Sequence, residues 1–264
     1  MESRIVVTKK FFLVTMLCVV VSSLFSTNVI VKGEEVNQNY STEGYVNVTS
    51  SLNVRKKPSI KSKILKKLHP GDVVKIIGRK NDFYKIKLKK GKNFIVGYVA
   101  KEYVKIPKKV KKGYKLISAA VITAQSSSEN RNYNISLACK KLNGLSLKPE
   151  EKFEWYGKNG VGPANQENGF KEAPVIIDKK VEMGYGGGVC QVSTALYNCI
   201  YKLKIKPDEL HHHSLKSSYV AEGMDATVSY PSKNFRFTNT KKYTIKFQAF
   251  AKGGKVTILA YKKR

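Results

Sequence analysis

Three consecutive glycines, Gly186-Gly187-Gly188, lead directly into Val189 and Cys190, and no other feature constrains the fold of this chain as strongly. Glycine permits a tight turn and the close approach of another backbone segment. Apolar residues then recur at helical spacing, at Val192, Leu196 and Ile200. The pattern therefore predicts an α-helix that begins at Val189 and runs to about Tyr201, with Cys190 in its first turn.

The first turn of a helix favours an anion, because its backbone N–H groups have no partner within the helix and the helix dipole is positive there. A thiolate is such an anion, so we expect Cys190 to be a nucleophile. Nearby groups are expected to stabilise an oxyanion or to contact substrate, namely Gly188, Gln191, Ser193 and Ser214.

About twenty residues after the cysteine comes the triplet His211-His212-His213. In an extended segment His211 and His213 point to one face and His212 to the other. Either of the same-face pair could accept the thiol proton, because imidazole titrates near neutral pH. A zinc site and an exposed histidine run are the alternatives, but zinc ligands are usually spread over better separated positions, so we predict no metal and no cofactor. Asp225 could orient a histidine, or could simply form a turn.

The net charge is +30, from 49 Lys and Arg against 19 Asp and Glu in 264 residues. Such a charge favours polyanionic surroundings, although general solubility is a simpler explanation. Nucleic acid is not expected, because no nucleic-acid-binding module is recognisable and the chain begins like an exported protein. Anionic cell-wall polymers are the better match.

Residues 1–32 combine basic positions with an apolar stretch from Phe11 to Phe25, which is typical of a signal peptide or a membrane anchor. We therefore expect an extracytoplasmic protein, in the cell wall or on the outer face of the membrane. Beyond this leader only three cysteines remain, Cys139, Cys190 and Cys199. An odd number leaves at least one free thiol and argues against a disulfide scaffold.

Residues 43–105 contain several short alternating segments separated by turn residues, which predicts a small all-β barrel. They resemble a bacterial SH3 domain in the strings Leu52-Asn53-Val54-Arg55-x-x-Pro58, Gly71-Asp72-Val73-Val74, Phe83-Tyr84-Lys85-Ile86 and Gly97-Tyr98-Val99. That resemblance implies a module that binds or targets the cell wall, and a spacer without affinity is the alternative.

Residues 106–115 are predicted to be a basic, solvated linker, and residues 116–264 a second domain of α+β class. A helix is expected over Asn130–Leu142, in addition to the helix that carries Cys190. Strands are expected at Ile117–Thr123, Phe153–Tyr156, Ala173–Ile177, Tyr219–Val220, Thr227–Tyr230, Phe235–Phe237, Tyr243–Phe247 and Val256–Tyr261.

The second domain resembles the VanW domain from Leu116 to Tyr261. The matching strings are Asn130-Arg131-Asn132-x-Asn134-Ile135, Leu142-Asn143-Gly144, Lys148-Pro149, Val161-Gly162-Pro163, Gly169-Phe170-x-Glu172-Ala173-Pro174-Val175, Gly186 to Asn198, His211-x-His213-Ser214 and Asp225-Ala226-Thr227-Val228. The resemblance implies an L,D-transpeptidase with Cys190 as nucleophile and His211 or His213 as base. The chain departs from the family at Leu210, where arginine is frequent, and at His212, where asparagine or proline is frequent.

These observations predict an exported peptidoglycan L,D-transpeptidase. Cys190 would form a thioester with the third residue of a stem peptide, D-alanine would leave, and an amine would complete a 3→3 cross-link. With water as acceptor the protein would be an L,D-carboxypeptidase, and other cysteine peptidoglycan hydrolases share the same nucleophile. A non-catalytic cell-wall-binding protein is the remaining alternative.

Overall fold

The computed structural model describes residues 41–107, 113–124, 128–177 and 180–264. The predicted signal peptide or anchor at residues 1–32 lies outside the described residues, as does the centre of the predicted linker at residues 106–115. The structure is mostly β, and neither of the two α-helices that it describes is long and apolar enough to cross a bilayer.

The N-terminal part of the described chain is a barrel of seven short antiparallel strands. They are β1 (Thr42–Val46), β2 (Leu52–Arg55), β3 (Ile64–Leu68), β4 (Val73–Lys80), β5 (Phe83–Lys90), β6 (Asn93–Ala100) and β7 (Val104–Lys105), in the spatial order β3-β2-β6-β5-β4-β1-β7. Alternate residues point inward, which is why Val54, Ile76 and Ile86 are fully buried while the adjacent Arg55, Lys75 and Lys85 reach solvent. The all-β barrel predicted for this region is present.

The second part of the described chain is built on a four-stranded antiparallel sheet covered by two helices. The sheet has the order β8-β16-β15-β9, from β8 (Tyr114–Thr123), β16 (Lys255–Lys263), β15 (Ile245–Lys252) and β9 (Ser146–Leu147). The helices are α1 (Glu129–Leu142) and α2 (Val189–Lys202). Ser128 caps α1 with its side chain, which accepts a hydrogen bond from the Arg131 N–H. Their apolar faces pack together with the sheet and bury Trp155 and Phe235 completely.

Two smaller sheets complete this part of the chain. One has the order β10-β14-β13, from β10 (Lys152–Glu154), β14 (Arg236–Thr238) and β13 (Pro207–Glu209). The other is the hairpin of β11 (Glu172–Ile177) and β12 (Lys180–Tyr185), which leads into the glycine triplet. The sequence did not predict β12.

The strands predicted at Tyr219–Val220 and Thr227–Tyr230 are wrong. Tyr219 lies in a turn, and the second segment forms only an isolated bridge between Ser229 and Lys233. Alternating apolar residues suggested strands there, but these segments bond to α2 and to the histidine loop. For example, the Thr227 N–H donates to the carbonyl of His211 at 2.8 Å.

The barrel packs against the outer face of the β8–β16 pair. Its Tyr45 joins an apolar cluster with residues of these two strands, namely Leu116, Ala119, Val121, Leu259 and Tyr261. Lys202, the last residue of α2, reaches the barrel, where its ammonium donates to the carbonyl of Pro70 at 2.9 Å and lies 3.5 Å from Asp72 Oδ1. The β8–β16 pair is therefore buried on both faces.

Candidate active site

The glycine triplet is clamped between α1 and the β11–β12 hairpin. Gly188 is the N-cap of α2 with φ of 102°, and a Cβ there would lie 2.8 Å from the Ile135 side chain and 2.9 Å from that of Arg131. Asn134 of α1, which is fully buried, donates to the Gly187 carbonyl at 3.2 Å and to the Lys171 carbonyl at 2.8 Å. Glycine is therefore required at the start of α2 both for its conformation and for space.

Cys190 is the second residue of α2, as the sequence predicted. Its side chain is partly exposed, and Sγ lies 3.5 Å from the carbonyl oxygen of Val228. Gly188 O accepts a hydrogen bond from the Gln191 N–H at 3.0 Å, and the Cys190 N–H is one of the first-turn donors of α2, which have no acceptor within a helix. This N–H is thus the backbone donor available beside the sulfur.

His213 lies beside Cys190 and is held by Asp225. The Nδ1 atom of His213 is 2.6 Å from Asp225 Oδ2, and the His213 backbone N–H donates to the same oxygen at 2.7 Å. Because Nδ1 is occupied by the carboxylate, Nε2 is the ring nitrogen left to exchange a proton with the thiol. The structure thus brings together Cys190, His213 and Asp225 from three separate parts of the sequence.

The protonation of this pair is set by opposing effects. Burial disfavours the charged imidazole, but hydrogen bonding and charge interaction with Cys190 and with Asp225 outweigh it and raise the pKa of His213 above its ordinary value. Burial likewise opposes ionisation of Asp225, but hydrogen bonds from the His213 backbone, the His213 ring and the His212 ring lower the pKa of that carboxyl. Each shift stabilises the charged form of its own group.

The other two histidines have different partners. His212 Nδ1 is 3.0 Å from Asp225 Oδ1, and its side chain is about half exposed. His211 Nε2 is 2.8 Å from Glu209 Oε1, and the same carboxylate pairs with Arg236 at 2.9 Å. Of the triplet, it is His213 whose interactions include Cys190, while His211 faces Glu209.

Two of the residues predicted to contact substrate have their side chains inside the domain. Gln191 is buried and donates to the carbonyls of Gly254 at 2.8 Å and Ile122 at 3.3 Å. Ser193 is also buried and donates to the Ala226 carbonyl at 2.6 Å. Both side chains therefore bond within the domain: Gln191 ties α2 to the end of the β8–β16 pair, and Ser193 fixes the segment next to Asp225. Ser214 is exposed and follows His213.

Three residues near the sulfur were not among the predicted site residues: Tyr156, Tyr219 and Arg131. Burial first, and then the charge of Cys190, raise the pKa of both tyrosines. The Tyr219 ring is edge-on to His213 with the centroids 6.4 Å apart. Arg131 covers Gly188 with its side-chain stem and acts electrostatically on Tyr219. Arg131 belongs to the string Asn130-Arg131-Asn132, so the resemblance could have indicated it as a site residue. No sequence pattern links Tyr156 or Tyr219 to Cys190.

Within the described ranges, no group of three or more His, Cys, Asp or Glu side chains has an arrangement that could hold a metal ion. Cys139, Cys190 and Cys199 are all free thiols. Burial raises the pKa of Cys139 to about 12 and that of Cys199 to about 12. Cys190 is thus the partly exposed thiol of the three.

Comparison with known proteins finds similar bacterial sequences. YoaR of Bacillus subtilis (strain 168), an uncharacterised protein, is 35% identical over 136 residues, which are 52% of this chain and 44% of YoaR. The vancomycin B-type resistance protein VanW of Enterococcus faecalis (strain ATCC 700802 / V583) is 31% identical over 106 residues, which are 38% of each protein. The chain spans less than half the length of these curated relatives.

Family models match both parts of the chain. The bacterial SH3 domain matches residues 50–105, and the VanW like protein family matches residues 130–261, which is half of the 264 residues. Both resemblances drawn from the sequence are thereby confirmed. The chain belongs to the VanW family and carries a bacterial SH3 domain ahead of its VanW domain.

Proposed function

We propose that the protein is an exported peptidoglycan L,D-transpeptidase that forms 3→3 cross-links through a thioester on Cys190. The observation that carries this proposal is the arrangement of Cys190, His213 and Asp225 at the start of α2, where Asp225 holds His213 at 2.6 Å and His213 interacts with the sulfur. A thiol, an imidazole and an orienting carboxylate in this order are the components of thiol acyl transfer.

The acylation step follows from these positions. His213 accepts the thiol proton, and the Cys190 sulfur attacks the carbonyl carbon of the third residue of a tetrapeptide stem. The resulting oxyanion is stabilised by the N–H of Cys190 at the start of α2. When the C–N bond breaks, His213 returns the proton to the departing amine, D-alanine leaves, and the thioester remains.

The second step regenerates the thiol. A side-chain amine of a neighbouring stem attacks the thioester carbonyl, His213 takes the amine proton, and the C–S bond breaks. The proton then returns to the sulfur. If water attacks instead, the product is a shortened stem and the protein is an L,D-carboxypeptidase. In this scheme His213, and not His211, is the base.

The setting fits peptidoglycan chemistry. Membership of the VanW family together with the bacterial SH3 domain supports a cell-wall-associated protein. The name of the VanW relative refers to vancomycin resistance, and this agrees with a role at the wall. The net charge of +30 suits a matrix of anionic polymers.

Mass spectrometry of the intact protein mixed with a synthetic tetrapeptide stem tests the nucleophile. We expect a mass gain equal to the peptide minus D-alanine, located on the peptide that contains Cys190. Cys190→Ala should give no adduct while keeping its fold by circular dichroism. Cys199→Ala is the matched control, because Cys199 is a fully buried thiol whose loss should leave the adduct in place. An undiminished adduct in Cys190→Ala would contradict the proposal, because the acyl group would then be attached to another residue.

Adding an acceptor stem separates the three possible functions. Cross-linked 3→3 dimers support transfer, and shortened stems alone identify the hydrolytic alternative. If folded wild-type protein gives neither product nor adduct while it still binds purified walls, the non-catalytic alternative replaces the enzyme.

A further inference from the structure

A cleft of about 500 Å³ lies between the barrel and the β8–β16 sheet, and none of Cys190, His213 and Asp225 lines it. Its charged lining comes from both sides of the interface and consists of Lys75, Lys87, Lys89, Lys115, Lys262 and Glu43. Five cations thus face one carboxylate.

The positive charge of this cleft is not neutralised by the protein. Glu43 already pairs with Arg264 at 3.3 Å. Throughout the part of the chain that the structure describes, no ion pair joins a carboxylate to any of the five cleft lysines. Charges gathered in a concave surface between protein walls raise the local concentration of anions, so the cleft is suited to an anionic ligand.

Aromatic rings hold two of the lysines in place. The Lys87 ammonium lies 4.1 Å from the centroid of Phe94, and the Lys262 ammonium lies 4.9 Å from that of Tyr243. Cation–π contacts of this length orient the ammonium group without cancelling its charge. The buried side chains of Leu88 and Leu116 also line the cleft. These two ammonium groups are therefore positioned before any ligand arrives.

The residue type indicates the ligand. The cleft contains lysines and no arginine. The arginine fork binds a carboxylate or a phosphate through two parallel hydrogen bonds, whereas lysine binds phosphate as a point charge, which suits a row of separate single charges. The five ammonium groups come from β4, β5, β8 and β16, so they are arranged for several anionic groups along a chain. We propose that the cleft binds a linear polymer that carries phosphodiester groups, independently of the chemistry at Cys190.

Binding of fluorescently labelled poly(glycerol phosphate) to the full-length protein tests this site. The cleft variant is Lys75→Gln/Lys89→Gln/Lys115→Gln, in which three exposed lysines lose their charge. The matched control is Lys63→Gln/Lys66→Gln/Lys67→Gln, which removes the same charge at and beside β3, where no residue lines the cleft. We expect affinity to fall roughly tenfold or more in the cleft variant, because each lysine near an anionic surface contributes measurably to binding. The control should change by no more than about threefold, because exposed charges at a distance are screened.

Equal losses in the two variants would show that overall charge, and not the cleft, binds the polymer. Equally tight, equally cleft-dependent binding of poly-glutamate would overturn the phosphodiester assignment, and absence of binding would overturn the site. Cys190→Ala should bind poly(glycerol phosphate) as tightly as the wild type does. The binding result can therefore be interpreted even if the proposed enzymatic function is wrong. Circular dichroism verifies that each variant is folded.

Discussion

Asp225 contacts two of the three consecutive histidines, one with each carboxylate oxygen. Oδ2 accepts from both the backbone and the ring of His213, and Oδ1 pairs with His212. Because Asp225 contacts both the backbone and the ring of His213, the imidazole cannot rotate freely. Its Nδ1 is bonded to the carboxylate, which leaves Nε2 to exchange a proton with the thiol.

Asp225→Asn should lower turnover of a tetrapeptide stem by roughly 10²- to 10⁴-fold, because the amide can neither fix the ring tautomer nor stabilise the imidazolium. The measurement is kcat by release of D-alanine. His212→Gln provides the control, since it removes the other partner of Asp225 and leaves Cys190 and His213 untouched. Unchanged kcat in Asp225→Asn would show that the carboxylate has only a structural role.

Stability should depend on pH through the same pair. A raised His213 pKa contributes to the unfolding free energy fully below the unfolded value of about 6.5, and this contribution is lost as pH rises through the folded pKa. The lowered Asp225 pKa contributes above the unfolded value of about 3.9, and this contribution is lost as pH falls through the folded pKa. Urea unfolding of wild type and His213→Gln across both windows tests this. In His213→Gln the free energy of unfolding should not decline as pH rises through the folded pKa of His213. An identical decline in both proteins would show that another group causes it.

Under the proposed function, Arg131 is expected to bind the end of the donor stem. Its side chain covers Gly188, and no carboxylate pairs with its guanidinium among the described residues. The terminal carboxylate of a tetrapeptide stem lies one residue beyond the attacked carbonyl, and arginine is suited to bind it through two parallel hydrogen bonds.

Arg131→Gln should therefore raise KM for the tetrapeptide by roughly 10- to 100-fold with a smaller change in kcat, as expected for loss of a charge-assisted hydrogen bond. Arg131→Lys should restore part of the loss. A stem with an amidated terminus serves as the second probe, because it should bind wild type and Arg131→Gln equally. If KM for the amidated stem differs between wild type and Arg131→Gln as much as KM for the free acid does, Arg131 does not bind the terminal carboxylate.

At the level of elements, α2 was predictable and the loop that faces it was not. Apolar spacing predicted a helix from Val189 to about Tyr201, and the structure has Val189–Lys202, because one face of the helix is buried along its whole length. The position of Asp225 depends instead on single hydrogen bonds. Thr194 Oγ1 accepts from the Ala226 N–H at 3.0 Å, and Ser193 donates to the Ala226 carbonyl. No periodicity encodes such contacts, so the sequence could name Asp225 as a candidate but could not place it.

Gly188→Ala should destabilise the protein by roughly 2 to 5 kcal/mol, since it combines a strained backbone conformation with overlap against Ile135 and Arg131. Gly144→Ala is the control, because Gly144 has a similar φ of 94° with no atom within 4 Å of the added Cβ. It should cost only about 1 to 2 kcal/mol. Urea denaturation measures both, and equal losses would mean that packing at the start of α2 contributes nothing.

For the whole molecule, the sequence made no prediction of how the two domains pack against each other. In the structure, strand β16 is buried on both faces from Val256 to Tyr261. The signal was present in the sequence: this stretch is nearly continuous in apolar residues, a pattern typical of a strand covered on both sides. Which partner covers the second face could not be deduced, because apolar periodicity does not identify the opposing surface.

Lys202→Ala should reduce the free energy of unfolding by roughly 1 to 3 kcal/mol, because it removes one charged donor that is shared by two carbonyls. The carbonyls of Pro70 and Ala119 lie 2.9 and 3.1 Å from its ammonium. Lys206→Ala is the control at an exposed lysine just beyond the same helix, where a change within about 0.5 kcal/mol is expected. Differential scanning calorimetry measures the unfolding midpoint of each variant, and equal midpoints would show that Lys202 does not stabilise the interface.

Helix α2 begins at the sulfur-bearing turn and ends on the barrel. Its 14 residues span roughly 20 Å as a stiff rod, with Cys190 near one tip and the Lys202 anchor at the other. Any ligand bound to the barrel beside Pro70 would therefore be held at a fixed distance from the sulfur, because the helix between the two points cannot bend or lengthen.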